Sequence, residues 1–269
     1  MMRSWDGPGW REFEAGDIAP DDRGFLLGDG VFETMRVAGG QIRYSAAHRA
    51  RFEAAGAALD LVSPAPWPAV EAEAAGLPDG ATLRLTLTRG PGPRGVSPFP
   101  DNHARLFLAD FPPATGPTSV TLQISAIRRS PASLACRHKT LSYADNAAAR
   151  REAVAAGADM ALLLTAEGHV SGADCANVFW MSGDTVFTPS ADCAIRPGVM
   201  REAVLKEAAR SGLEVREGRF EAGVLARAGA IFVTNAATGL VPVQALDGRA
   251  VKTGHPAMLA LREAVSTAG

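Results

Sequence analysis

The chain has few side chains with distinctive chemistry, and the three lysines stand out: Lys139, Lys206 and Lys252. A lysine amine held in a cleft can attack a carbonyl group or carry a proton. Lys206 has Glu202 four residues before it, which is typical of a solvated helix face, and Lys252 follows a turn. Lys139 lies in a short irregular segment between a predicted strand and a predicted helix. Solvent exposure is the competing interpretation there, and position alone does not exclude it.

Other familiar chemistry is not supported. The segment 90–95 reads Gly-Pro-Gly-Pro-Arg-Gly and matches G-x-G-x-x-G. That pattern binds a dinucleotide only when it opens a helix, and the following residues 96–100, Val-Ser-Pro-Phe-Pro, cannot begin one. The five histidines show no H-x-x-x-H spacing, and no G-x-S-x-G elbow is present. We therefore predict neither a metal site nor a serine hydrolase.

The composition is that of a soluble globular protein. The 269 residues carry 27 basic and 29 acidic side chains, a net charge of −2, and 47% of them are hydrophobic. Nearly balanced charge argues against nucleic-acid or anionic-membrane partners. No apolar run has the length of a membrane span, and the N-terminus lacks the features of a signal peptide. We therefore expect a cytoplasmic protein.

Strand and helix signals are mixed along the chain and indicate an α+β protein. A capped helix is predicted at 45–59, and strongly alternating strands at 81–89 and 104–110. The Pro- and Gly-rich segment 111–117 reads as a linker, which divides the chain into domains 1–113 and 118–269. In the second domain we predict strands at 119–125, 160–165, 177–181, 186–189, 230–234 and 241–246. Helices are predicted at 142–156 and 197–211, and from 256.

Seven sequence segments occur in a recognisable order. They are Asp22–Thr34, His48–Phe52, Arg84–Gly95, Lys139–Asn146, Cys175–Phe179, Pro197–Arg201 and Thr234–Ala237. Together they resemble the class IV aminotransferases, the fold-type IV pyridoxal-phosphate enzymes that include branched-chain and D-amino-acid aminotransferases and 4-amino-4-deoxychorismate lyase. The resemblance covers about residues 22–243.

This resemblance implies a two-domain fold like that of D-amino-acid aminotransferase, with pyridoxal 5'-phosphate bound between a smaller N-terminal α/β domain and a larger C-terminal cofactor-binding domain. It also implies a homodimer. Lys139 falls at the family's lysine position. It is therefore expected to form a Schiff base with the cofactor and to move the proton at the substrate Cα.

The resemblance also assigns the phosphate side of the cofactor. Arg51 stands at the family's H-x-x-R position, and Val199 and Met200 begin a helix whose free N–H groups suit an anion. Asn235 and Ala236 match a second phosphate loop. The family's hydroxyl is missing at Ala236, so the backbone or a neighbouring residue must donate instead.

One part of the family pattern is broken. A glutamate that binds the pyridine nitrogen is expected five residues before Asn177, and Gly172 stands there. The carboxylate of that glutamate would keep the pyridine ring an effective electron sink. Three explanations remain open. In the first, water or Ser171 contacts an unprotonated nitrogen, the electron sink is weakened, and the protein is a lyase or a slow transaminase. In the second, Asp174 reaches the nitrogen instead. In the third, the protein is a catalytically weak cofactor binder.

Substrate candidates are arginines, because a guanidinium pairs with a carboxylate in bidentate fashion. Arg89, Arg94 and Arg36 are candidates, although each of the 24 arginines has a structural or solvated role as its simpler interpretation. Phe32 belongs to a Phe-Glu-Thr sequence shared with aminotransferases and is a further candidate. The strand and loop 84–95 resemble the lyases more. We therefore expect a lyase-like enzyme, with a branched-chain or D-amino-acid aminotransferase as the alternative.

Overall fold

The computed structural model describes residues 1–99 and 103–267, and within them the chain divides into two compact units. Unit 1 is Met1–Thr115 with His138–Tyr143, and unit 2 is Gly116–Arg137 with Ala144–Gly269. The chain thus leaves unit 1 within the segment 111–117. Its return at His138–Tyr143 differs from the sequence-based division, which placed this segment in the domain 118–269. Lys139 consequently belongs to unit 1.

Unit 1 is built on an antiparallel sheet. Its strands are β1 (Met2–Trp5), β2 (Trp10–Glu12), β3 (Gly30–Ala38), β4 (Gln41–Ile42), β5 (Thr82–Thr88) and β6 (Arg105–Phe111). They lie in the order β2-β1-β6-β5-β3-β4. On β5, Leu83, Leu85 and Leu87 alternate toward one face and are buried, as a period of two requires. That face is the core side of the sheet.

The core of unit 1 is completed by helices that cover this face. They are α2 (Ser45–Ala57) and α3 (Trp67–Ala72). The short helix α1 (Arg23–Leu27) contributes no residue to this core cluster. Phe52 of α2 and Val70 of α3 are buried in the same cluster as Val31 and Met35 of β3. Successive residues of a strand face opposite sides, so Phe32 and its alternate neighbours on β3 face away from this core. Because the odd-numbered residues of β3 are buried in this core, its even-numbered residues lie on the opposite face of the sheet.

Unit 2 contains a mixed sheet. Its strands are β7 (Val120–Arg129), β8 (Met160–Thr165), β9 (Val170–Ala173), β10 (Asn177–Ser182), β11 (Thr185–Pro189), β12 (Glu214–Gly218), β13 (Ala230–Asn235), β14 (Gly239–Leu246) and β15 (Arg249–Ala250). They lie in the order β12-β11-β10-β13-β14-β7-β8-β9, and β15 pairs with β14. Parallel pairs join β11 to β12 and β7 to both β14 and β8. This mixture confirms the α+β prediction.

The helices of unit 2 are α4 (Leu134–Arg137), α5 (Ala144–Ala155), α6 (Val199–Arg210) and α7 (Pro256–Thr267). The sheet supplies a core that includes Leu162, Val178, Ile231 and Val243. α6 packs on β13 and on α7, which places its first turn close to the sheet. Across the described residues, no helix is both long and apolar enough to cross a membrane.

Candidate active site

The backbone around Lys139 is fixed by the first residues of β3. The N–H of Phe32 donates to the carbonyl of Lys139 at 2.9 Å, and the N–H of Leu141 donates to the carbonyl of Gly30 at 2.8 Å. Val31 and Thr140 form an antiparallel bridge between the two segments. The segment that looked irregular in the sequence is therefore paired to β3 at Lys139 and at Leu141, on both sides of Thr140.

The amine of Lys139 lies among aromatic side chains. Its Nζ is 4.0 Å from the centroid of the Phe32 ring and 5.7 Å from that of Tyr143. The two rings meet edge to face with centroids 5.1 Å apart. Lys139 is partly buried, whereas Lys206 and Lys252 are exposed. Of the three lysines, Lys139 is thus the one with a partly desolvated amine.

Arg84 of β5 packs against the same ring and was not among the predicted site residues. Its guanidinium carbon is 3.8 Å from the Phe32 centroid, and its register partner on β3 is Thr34. Burial lowers the pKa of Arg84, and Tyr143 partly opposes this shift. Among the described residues no carboxylate pairs with this guanidinium. A half-buried cation without an acidic partner in the described chain suits an anionic ligand.

The opposite face of β3 carries a buried charged cluster. Glu33 is fully buried, and its Oε1 lies 3.0 Å from Nδ1 of His48. Nε of Arg51 donates to Glu33 Oε2 at 2.9 Å, and Nη2 of Arg51 donates to Oε1. Burial alone would raise the pKa of Glu33, but Arg51 and His48 outweigh it and lower the pKa to about 2. Glu33 therefore orients Arg51, the predicted phosphate ligand.

In unit 2, the first turn of α6 packs closely against β10. A Cβ atom at Gly198 would lie 2.0 Å from Oδ1 of Asn177, so only glycine fits before this helix. Nδ2 of Asn177 also donates to the carbonyl of Arg196 at 2.9 Å. No side chain caps the helix, and Val199 and Met200 are buried in its first turn. Their N–H groups have no partner within the helix, as in any first turn.

Thr234 lies across from Asn177 in the register of β13 and β10. Its Oγ1 is buried and has no hydrogen-bond partner in the described part of the chain. The hydroxyl that the sequence lacks at Ala236 therefore has a candidate substitute two residues earlier. Oδ1 of Asn235 accepts from the N–H groups of Ala237 and Thr238 at 3.0 and 2.8 Å. The Asn235 side chain thus stabilises the turn that follows it.

Asp174 is committed to the fold. Its carboxylate accepts from Nε of Arg150 at 2.7 Å and from the N–H of Ala161 at 2.7 Å, and the residue is 2% exposed. This geometry does not support the expectation that Asp174 reaches the cofactor. Ser171, the other candidate, donates its hydroxyl to the carbonyl of Ala194 at 3.2 Å.

The predicted substrate arginines lie in different settings. Nε of Arg89 donates to Asp29 at 2.7 Å and its Nη2 contacts the carbonyl of Leu59, which gives it a structural role instead of the expected substrate contact. Arg94 is exposed in its loop. Phe32, in contrast, lies directly beside Lys139. Arg36 is on the same face of β3 as Phe32, because even-numbered residues share that face.

Comparisons with known proteins identify the family of the chain. The family model described as amino-transferase class IV matches residues 30–246. An aminodeoxychorismate lyase of Bacillus subtilis (strain 168) is 30% identical over 252 residues, which cover 86% of this chain and 82% of that protein.

Solved structures show the same fold. A branched-chain amino acid aminotransferase of T.th., complexed with N-(5'-phosphopyridoxyl)-L-glutamate, is 28% identical with a TM-score of 0.87, covering 97% of this chain and 91% of that one. A fold IV-transaminase from Curtobacterium pusillum is 24% identical with a TM-score of 0.82, covering 94% and 89%. These likenesses confirm the predicted two-domain fold of type IV.

Proposed function

Because the chain belongs to the class IV aminotransferase family, we propose that it is a pyridoxal 5'-phosphate enzyme of the 4-amino-4-deoxychorismate lyase type that works through Lys139. The position of Lys139 carries this proposal. It is the partly buried lysine, its backbone is paired to β3, and its amine lies beside Phe32 and Tyr143. The guanidinium of Arg84 packs against the same Phe32 ring. Such a setting suits an amine that must condense with a carbonyl group.

The residues of the chain fit the phosphate of this cofactor. The buried hydroxyl of Thr234 has no partner among the described residues, and Asn177 lies between it and the start of α6. The N–H groups of Val199 and Met200 supply further donors and the positive end of a helix dipole. Arg51 is proposed as the cation of this site, held by Glu33. The backbone around Ala236 completes the donor set.

The chain's own groups then perform the proton transfer. When bound, the cofactor supplies a ring that withdraws electrons from the substrate Cα. The Lys139 amine accepts the Cα proton and can return it. Arg84 binds the substrate carboxylate through charge-assisted hydrogen bonds. Phe32 and Tyr143 keep water away from the amine.

Two features favour the lyase type. Gly172 replaces the expected carboxylate, which weakens the electron sink, and a weak sink suits a substrate whose product is stabilised by becoming aromatic. The B. subtilis lyase is also among the relatives. An amino acid aminotransferase is the second candidate, because Phe32-Glu33-Thr34 follows the aminotransferase pattern and a branched-chain enzyme is 28% identical.

An exposed apolar segment supports the proposal that the enzyme is a homodimer. Phe25, Leu26 and Leu27 of α1 are 71%, 51% and 43% exposed. Three adjacent apolar side chains in water are unfavourable, and a second copy of the chain would cover them. Sedimentation velocity at micromolar concentration should give twice the monomer mass, and a monomer would contradict this part of the proposal.

Product analysis tests the proposed reaction. The cofactor-loaded protein is incubated with 4-amino-4-deoxychorismate without any keto acid, and pyruvate and 4-aminobenzoate are measured. A lyase releases both. If neither pyruvate nor 4-aminobenzoate is released, but branched-chain or D-amino acids transfer their amine to added 2-oxoglutarate, the protein is an aminotransferase. A Lys139→Ala protein is the blank for each assay.

A further inference from the structure

On unit 2, the guanidinium of Arg129 lies next to Gly172. Gly172 is buried in β9, and a Cβ atom built on it would lie 3.4 Å from Nη1 of Arg129 and 3.1 Å from the carbonyl oxygen of Ala176. A longer side chain at this position would therefore start beside a guanidinium. The site that lacks a carboxylate has a cation next to it.

The position of Arg129 is set by the sheet. Arg129 is the last residue of β7 and pairs with Thr165 of β8. Its Nη2 donates to the carbonyl of Ala173 at 3.1 Å. This bond carries the side chain across β8 to β9, where its guanidinium meets Gly172. The contact is thus built by three adjacent strands.

Nearby carboxylate and hydroxyl groups are committed elsewhere. Asp174 is held by Arg150 and by the N–H of Ala161. Ser171 donates to the carbonyl of Ala194. Neither can replace a carboxylate at residue 172 without breaking these buried bonds, which would leave polar groups unsatisfied.

The chemistry of the cofactor links this region to its ring. In pyridoxal phosphate, one ring carbon separates the nitrogen from the carbon that bears the phosphate arm. A phosphate held near Thr234 and the start of α6 therefore keeps the nitrogen close to the residues that lead into Asn177. Gly172 lies there, because a Cβ atom built on it would be 3.1 Å from the carbonyl oxygen of Ala176, which directly precedes Asn177.

We propose that Arg129 faces the pyridine nitrogen of the cofactor in place of the missing carboxylate and keeps that nitrogen unprotonated. The proposal rests on the proposed function. A guanidinium has only donors and remains charged, so it donates to the nitrogen lone pair and opposes a proton there. The ring then withdraws electrons less strongly. Arg129 thus lowers the electron-withdrawing strength of the cofactor ring. This favours reactions whose product is stabilised by becoming aromatic.

The nitrogen itself provides the test. Protein loaded with cofactor that carries ¹⁵N in the ring is studied by NMR at neutral pH. We expect the wild-type signal at the chemical shift of an unprotonated pyridine. In Arg129→Glu, a carboxylate replaces the guanidinium, and the signal should move by the full difference to a pyridinium.

A second variant guards against misfolding of the first. Gly172→Glu combined with Arg129→Ala places a carboxylate at residue 172 and removes the guanidinium beside it, so its signal should also move to the pyridinium value. Arg128→Gln is the matched control, because Arg128 is exposed and donates to the carbonyl of Ile127. Its signal should stay at the wild-type value.

Two results overturn the inference: a pyridinium signal in the wild type, or an unprotonated signal that no Arg129 variant moves. Both leave the cofactor bound and the proposed function intact. Failure of the wild-type protein to bind the cofactor at all would instead overturn the proposed function, and the role of Arg129 with it.

Discussion

The surroundings of Lys139 and of Gly172 differ in how far they keep the family pattern. Around Lys139, the aromatic rings, Arg84 and the paired backbone are all in place. Around Gly172, the expected carboxylate is gone, and Nη1 of Arg129 would lie 3.4 Å from a Cβ atom at this position. On the functions that we propose, one segment of the chain attaches the cofactor and another tunes its ring. One can therefore change while the other persists.

The largest expected effect concerns attachment. Lys139→Ala should abolish the visible absorption of the bound cofactor and the activity, because no other partly buried amine is available among the described lysines. Lys206→Ala is the matched control, since Lys206 is exposed and pairs with Glu202 at 2.6 Å. Absorption spectra of the two variants decide the matter. An unchanged spectrum in Lys139→Ala would mean that another lysine is used.

Substrate binding beside Lys139 should depend on Arg84. Arg84→Gln removes a charge-assisted hydrogen bond worth about 1.5–3 kcal/mol, which corresponds to a KM roughly 10–100-fold higher. Arg94→Gln, in the exposed loop, should change KM by less than about 2-fold. Steady-state kinetics on both variants provide the comparison. A larger effect at Arg94 would restore the expectation from the sequence and contradict the role of Arg84.

Acid should destabilise unit 1 through Glu33. The pKa of Glu33 is lowered to about 2, so its stabilising effect is complete above the ordinary pKa of about 4.5 and is lost as pH falls toward 2. The loss is on the order of 3 kcal/mol. Asp17, whose pKa Arg11 lowers to about 2, adds to the same trend.

Urea unfolding followed at pH 7, 4 and 3 measures this effect. Glu33→Gln should be less stable at pH 7 and lose less stability on acidification than the wild type. Glu53→Gln is the control, because Glu53 pairs with Arg49 on an exposed helix face. If Glu33→Gln and the wild type lose stability in parallel, the buried cluster is not the source of the acid sensitivity.

The smallest expected effect lies next to Gly172. Asp174→Asn should destabilise the protein by about 2 kcal/mol, below the ~3–5 kcal/mol of a fully buried pair, because the side chain of Arg150 is 39% exposed. The ¹⁵N signal of the cofactor should not change. Glu202→Gln, in an exposed pair, should cost less than about 0.5 kcal/mol. A changed ¹⁵N signal in Asp174→Asn would give Asp174 a role at the cofactor after all.

Local sequence patterns predicted many elements well. The alternating leucines indicated β5, whose observed range Thr82–Thr88 lies within the predicted 81–89. The helix predicted at 45–59 is α2, Ser45–Ala57. β3 was missed, since its first four residues are all buried and show no alternation of apolar and polar side chains. β3 is nevertheless the strand that positions Lys139.

The site was harder to predict because its contacts join distant residues. Arg84 was one of 24 arginines, and only the register of β5 against β3 places it on Phe32. Spacing along a strand suggested that Asp174 could replace a side chain at residue 172. It could not reveal Arg150, which comes from α5 and holds the carboxylate. Partners supplied by other elements are invisible to a local pattern.

Chemical trapping tests the central role of Lys139 most directly. The wild-type protein is loaded with pyridoxal phosphate, reduced with borohydride and digested, and the peptides are weighed by mass spectrometry. We predict a phosphopyridoxyl group on the peptide that contains Lys139 and on no peptide with only Lys206 or Lys252. An adduct on either of those, with Lys139 unmodified, would contradict the account.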